Sequence, residues 1–183
     1  MKSLNILKIA LLILTVFSFS DIKAGTPCEF VPLIDKYTTA FPYFVNGRKY
    51  RINKALILGI IQQESSFNPD AKSPAGAYGL TQIMPNTAKL LKCEYDKLNN
   101  PEIAIQCSVK FIAALLTYNK GDLIKTISGY NGGTHSTETK ATTQEGLLAN
   151  RIYDNPETKQ YVISVLNYFE YFKKKSCIEN QMK

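Results

Sequence analysis

A mainly α fold in a single domain, with at most a minor β-hairpin, is predicted by three observations. Apolar residues recur at helical spacing through most of the chain after residue 29. Asn, Asp and Pro stand just before several of these runs, where helix caps belong. Alternation of the β type is confined to one short stretch. The 183 residues, 45% apolar and 20% charged, suffice for one domain of ordinary size plus a short extension. No internal repeat or linker is visible.

Taken in order, the first element is a leader. Lys2 and Lys8 form a positive region, and Ile9 to Phe19 is an apolar run of secretory length, too short to span a bilayer comfortably. Cleavage is placed after Ala24, with Ser20 as the other small-residue edge. Residues 1–24 are read as a signal peptide and 25–183 as the mature domain, in preference to an uncleaved anchor. Gly25, Thr26 and Pro27 before Cys28 do not look like a lipidation box.

Phe30, Leu33, Ile34 and Tyr37 mark the first helix. Tyr43 to Ile52, with an Asn46-Gly47 turn, is the best strand candidate. Asn53 caps a stronger helix from Lys54 to about Ser66, with Ile57, Ile60 and Ile61 on one face, stopped by Pro69. Residues 67–81, rich in Pro, Gly, Ser and Asn, read as an irregular loop. Pro85 opens a helix to about Cys93, and Asn100-Pro101-Glu102 opens one to Tyr118. Gly121-Asp122 begins a short helix ending near Tyr130, broken by Gly132-Gly133. Residues 133–146, which include the lone His135, read as a polar surface loop, either inert or able to close over a ligand. Asn155-Pro156-Glu157 starts the last helix, with Tyr161, Val162, Val165, Leu166 and Phe169 inward.

Composition excludes several functions. A single His leaves no His-based metal site and argues against a Ser-His-Asp triad. No metal or cofactor is expected. Loss of residues 1–24 removes Lys2, Lys8, Lys23 and Asp21 and lowers the net charge from +7 to +5. That excess is spread out, with only Arg48 and Arg51 close together, so nucleic acid is not an expected partner. A cationic exported protein suits the anionic bacterial envelope. The four Cys all follow the leader, and in an oxidising compartment an even count predicts two disulfides, with three connectivities open.

The chemistry gathers at one helix end. Glu64 continues the stripe of Ile57, Ile60 and Ile61, so its carboxyl is expected to face inward. Desolvation there raises a carboxyl pKa, which suits a general acid near neutral pH. An exposed helix-end Glu is the plainer reading of periodicity alone. Ser65-Ser66-Phe67-Asn68-Pro69 follows, and then Ala75-Gly76-Ala77-Tyr78-Gly79-Leu80-Thr81-Gln82-Ile83-Met84-Pro85-Asn86-Thr87-Ala88.

These residues closely resemble the catalytic domain of the soluble lytic transglycosylases, a family of lysozyme-like fold. Glu64-Ser65, Gly79 to Ala88, Tyr130-Asn131-Gly132-Gly133 and Glu157-Thr158-Lys159-Gln160-Tyr161-Val162 match four family motifs in order. The resemblance covers about residues 54–172. It implies non-hydrolytic cleavage of the β-1,4 bond between N-acetylmuramic acid and N-acetylglucosamine in peptidoglycan, leaving 1,6-anhydro ends. By the same resemblance Glu64 is the catalytic acid and then base. Ser65, Gly79, Gln82 and Met84 line the saccharide groove, and Asn131 stands with them in the substrate-binding set. Tyr130 orients the acid or substrate, and Glu157 supports the site floor. Gln82 in a Gly-flanked loop also has a plainer role, satisfying backbone groups.

Ordinary glycosidases need two carboxyls. Asp70 follows Pro69 in a turn-forming Asn-Pro-Asp and is off the face of Glu64, and Glu157 has reason enough to be acidic in opening a helix. With one carboxylate the substrate must supply its own nucleophile, as an internal hydroxyl can. Two other readings stand beside this one, namely a hydrolytic muramidase of the goose-lysozyme kind and a non-catalytic wall-binding assembly protein of the same fold.

Cys93–Cys107, closing a short loop between neighbouring helices, and Cys28–Cys177, joining the chain ends outside the four motifs, are the expected disulfides. The expected setting is the periplasm or outside the cell, as a monomer acting on glycan strands and free of the membrane after leader cleavage. The small size resembles members that open the wall for a secretion or conjugation machine.

Overall fold

The computed structural model describes residues 26–133 and 156–179. The leader, the polar loop after Gly133 and His135 lie outside the described residues. A 3-10 turn at Pro27–Phe30 leads into α1 (Val31–Ala40), followed by β1 (Tyr43–Val45) and β2 (Arg48–Tyr50). Then come α2 (Lys54–Ser65), α3 (Pro85–Leu91), a 3-10 turn at Tyr95–Lys97, α4 (Pro101–Tyr118) and α5 (Leu123–Gly132). The described chain closes with α6 (Pro156–Lys173) and α7 (Ser176–Glu179). The mainly α class with one small hairpin is the one expected from the sequence.

Cap chemistry places the helices where the sequence predicts. The side chains of Asn53 and Asn100 accept from Ala55 N and Glu102 N, each at 2.9 Å. Asp122 accepts from Lys125 N at 3.0 Å. β1 and β2 pair antiparallel with Tyr43 opposite Tyr50 and Val45 opposite Arg48, and Asn46 (φ 50°) and Gly47 (φ 76°) make the turn. Two ends differ from expectation. α3 stops at Leu91, short of Cys93, because Lys92 turns left-handed at φ 55°. α5 continues through Gly132.

α2 is buried over more of its surface than a single stripe. Ala55, Leu56, Leu58, Ile60 and Ile61 join Ile57 in the core. A helix apolar on most sides belongs in the middle of the bundle. α6 packs along it so closely that a Cβ on Gly59 would stand 3.2 Å from both Phe169 N and Val165 O. The N-terminal end of α2 is held by Asp35 of α1, whose carboxylate accepts from Lys54 Nζ at 2.9 Å and pairs with Arg51 at 2.8 Å. Lys54, chiefly through that hydrogen bond, holds the Asp35 carboxyl below its usual pKa.

The structure joins Cys93 to Cys107 and Cys28 to Cys177, with Cα atoms 6.0 and 5.9 Å apart. The first pair links the segment after α3 to α4. The second links the 3-10 turn before α1 to α7. Among the described residues no helix is long and apolar enough to cross a membrane.

Candidate active site

Glu64 sits in the last turn of α2, with Ser66 (φ 50°) and Phe67 (φ 65°) ending the helix immediately after it. The helix thus delivers the carboxyl at the point where the chain leaves the core. Tyr161 Oη, from α6, donates to Glu64 Oε1 at 2.5 Å. Burial dominates the electrostatics and raises the Glu64 pKa from 4.5 to about 7, against the lowering effect of the Tyr161 hydrogen bond. A carboxyl poised there is protonated in a large fraction of molecules at neutral pH and can give the proton up.

Tyr130, from α5, is buried behind this pair. Its hydroxyl donates to Thr81 O at 2.9 Å, which leaves Ser108 Oγ, 3.3 Å away, to donate to it in turn. Burial, with the negative charge of Glu64 second, pushes the phenol pKa far up. The ring packs against Phe111 at 5.1 Å. Tyr130 therefore stays neutral and fixed, tying α5 to the loop before α3 and to α4.

The irregular segment after α2 is well bonded internally. Tyr78 and Ile83 exchange backbone hydrogen bonds at 3.2 Å, and Gly79 N donates to Ala71 O at 2.9 Å. Ser65 Oγ donates to Leu80 O at 2.8 Å, joining the end of α2 to this segment. Gln82 (φ 47°) directs Nε2 to Ala71 O and Gly79 O, both at 2.9 Å, so its amide protons are committed to the backbone. This is the plainer of its two expected roles. Gly79 (φ 80°) lies against α4's approach, where a Cβ would stand 2.0 Å from Leu98 O. Met84, 40% exposed, precedes α3 and offers its side chain to solvent.

Asn131 Oδ1 accepts from Thr158 Oγ1 at 2.9 Å, joining the end of α5 to the first turn of α6. Glu157 lies in that same turn and is exposed. Asp70 is exposed, its backbone N–H held by Asn68 Oδ1 at 3.0 Å in the anticipated turn. No described carboxylate is among the groups that shift Glu64. No group of three or more metal-binding side chains occurs among the described residues.

Tyr161, the hydrogen-bond partner of Glu64, is the residue that periodicity missed. It reads as one more inward-facing apolar position, and only a hydroxyl in place of Phe hints at a polar partner. Tyr161→Phe removes the hydrogen bond that lowers the Glu64 pKa, so the pKa is expected to rise. The alkaline limb of the pH–rate profile should then move to higher pH, and an unmoved limb would contradict the assigned contact.

The described residues form a helical bundle that holds one partly buried carboxyl, with its pKa raised to about 7, at the end of α2. The Transglycosylase SLT domain profile matches residues 42–152, and the chain belongs to that family. It is 61% identical over 42 residues to membrane-bound lytic murein transglycosylase C of Mannheimia succiniciproducens, covering 23% of this chain and 12% of that protein. To the soluble lytic murein transglycosylase of Escherichia coli K12 it is 28% identical over 149 residues, covering 75% and 23%. A transglycosylase of Enterobacteria phage PRD1 is 37% identical over 101 residues, covering 52% and 35%. The crystal structure of the 70 kDa soluble lytic transglycosylase of Escherichia coli superposes with a TM-score of 0.59 at 26% identity, over 80% of this chain and 25% of that one. An inactive mutant of the Pseudomonas aeruginosa lytic transglycosylase Slt gives 0.65 at 21% identity, over 86% and 26%, a likeness of fold. The chain thus spans about a third or less of the length of these relatives.

Proposed function

We propose that this protein is a peptidoglycan lytic transglycosylase, cutting the MurNAc-β-1,4-GlcNAc bond without water and leaving 1,6-anhydroMurNAc ends. The observation that carries the reading is Glu64 itself, held by Tyr161 at 2.5 Å with a pKa raised by burial to about 7. The family membership and the names of the relatives supply the substrate class. Protonated Glu64 gives its proton to the glycosidic oxygen as the bond to C1 breaks. The resulting carboxylate then takes the proton of the muramyl C6 hydroxyl as that oxygen closes on C1. Proton count balances, and one carboxyl serves both steps.

An ordinary two-carboxylate mechanism spaces its groups ~5–9.5 Å apart. Among the described residues Asp70 and Glu157 are both exposed, and no carboxylate is among the groups that shift Glu64. This favours the internal hydroxyl over water. Export by the leader would place the enzyme in the periplasm or outside the cell, where its substrate lies. Digestion of purified sacculi in heavy-oxygen water tests the reading. Released muropeptides should carry no label, whereas label at C1 of the muramyl ends would identify a hydrolytic muramidase. Absence of any release would point to a wall-binding protein.

A further inference from the structure

Immediately beyond Glu64 the chain adopts a conformation that its residue types disfavour. Ser66 and Phe67, at φ 50° and 65°, are consecutive non-glycine residues in the left-handed region. Phe67 is bulky and only 3% exposed. Residues so placed persist only where their surroundings over-determine them. Here the Phe67 ring is stacked on Phe30, with centroids 5.9 Å apart and planes 9° apart, and meets Phe172 edge-on at 6.0 Å and 83°.

Both outer rings are tied to the same covalent link. Phe30 lies two residues after Cys28 in one 3-10 turn, closed by Val31 N donating to Cys28 O. From Phe172 the chain passes to Cys177 through two more turns, with Lys175 N donating to Phe172 O at 3.0 Å and Ile178 N to Lys175 O at 2.9 Å. The Cys28–Cys177 disulfide therefore holds the two sides of the sandwich together. Ser66 N donates to Gln62 O and Asn68 N to Ser65 O, so the Phe67 turn is continuous with the turn of α2 that carries Glu64.

We propose that Phe67, clamped between Phe30 and Phe172 by the Cys28–Cys177 tether, is a positioning residue that fixes the end of α2 and with it the Glu64 carboxyl against Tyr161. The proposal rests on Glu64 being the reacting acid. Loosening the clamp frays the last turn of α2 and admits water to the carboxyl. Among the described residues the titratable groups facing Glu64 are Tyr161 from α6 and Tyr130 from α5, both held neutral. Hydration is then the variable that changes, and it favours the ionised carboxylate.

The test compares the wild type, Glu64→Gln, Phe67→Leu and the double variant Cys28→Ser/Cys177→Ser on purified sacculi. Measured quantities are kcat, KM, the pH profile and the folded fraction by circular dichroism. Phe67→Leu and the double variant should each lower kcat about tenfold or more, as small misplacements of a reacting group do. KM should stay within about twofold, since the groove residues are untouched. The alkaline limb should move down by about one pH unit. A residue that only supports the fold would scale the rate with the folded fraction and leave the limb in place, and that result overturns the proposal. So does wild-type kcat in both variants while Glu64→Gln is inactive. Wild-type turnover by Glu64→Gln overturns the reading of Glu64 itself, and the clamp with it. Should Phe67→Leu fail to fold, the double serine variant, which leaves the aromatic sandwich chemically intact, decides the matter.

Discussion

Glu64→Gln is expected to lower turnover of purified sacculi by about 10²- to 10⁴-fold, the usual contribution of a general acid. The fold should survive, because the amide nearly reproduces the carboxyl's shape and its oxygen can still accept from Tyr161. It should in fact be more stable at alkaline pH. Burial raises the Glu64 pKa from 4.5 to about 7, so the folded state holds this proton more tightly than the unfolded chain does. The corresponding stability is complete below pH ~4.5 and is lost as pH rises through about 7. Gln cannot ionise and escapes that loss. At pH 8 the variant should gain about 3 kcal/mol, or roughly 10 °C in Tm, with little difference near pH 4. Thermal melts at the two pH values check this. Equal Tm differences at both would mean that the carboxyl is not desolvated.

Gly79→Ala is expected to be strongly damaging, with the tightest Cβ overlap among the described glycines. Its Cβ would fall 2.0 Å from Leu98 O, a backbone atom that cannot swing aside, and the residue stands at φ 80°. The left-handed conformation alone costs an alanine about 1–2 kcal/mol. Relieving the overlap requires the Gly79–Leu80 turn to separate from the segment before α4. That movement also pulls on Ser65, which donates to Leu80 O, and on both backbone acceptors of Gln82. A loss of at least about 3 kcal/mol, or roughly 10 °C in Tm, is expected together with most of the activity. A variant with wild-type Tm would show that the approach of Gly79 to Leu98 is not as close as described. Gly59→Ala is the milder comparison, since its Cβ contacts are 3.2 Å and lie between two helices that can shift slightly.

Local chemistry made much of this architecture legible. Asn53, Asn100 and Asp122 announce their helices because a short polar side chain beside an orphan N–H acts within three residues. Asn46-Gly47 announces the hairpin because its turn needs two positive φ values. The inward direction of Glu64 could be read from the isoleucines one turn and two turns before it. What decides the behaviour of Glu64 could not be read this way. Tyr161 is 97 residues away in sequence and reaches Glu64 because α2 and α6 pack along one another. Periodicity marks Tyr161 as inward without saying which wall its hydroxyl meets. The need for glycine at position 79 depends on Leu98, which no local rule pairs with it. Ser65 and Gln82 illustrate the same limit from the other side. They stand in site motifs, yet their side chains donate to backbone carbonyls that hold the site's frame. Phe67 is the extreme case, since nothing in Ser-Ser-Phe-Asn-Pro foretells a buried aromatic at φ 65°.

The most direct test of the central claim is the mass spectrum of muropeptides released from purified sacculi by the wild type and by Glu64→Gln. The wild type should release products lighter by one water than their hydrolytic counterparts, and the variant should release almost none. Products of hydrolytic mass from the wild type, or anhydro products from Glu64→Gln at an undiminished rate, would contradict the account.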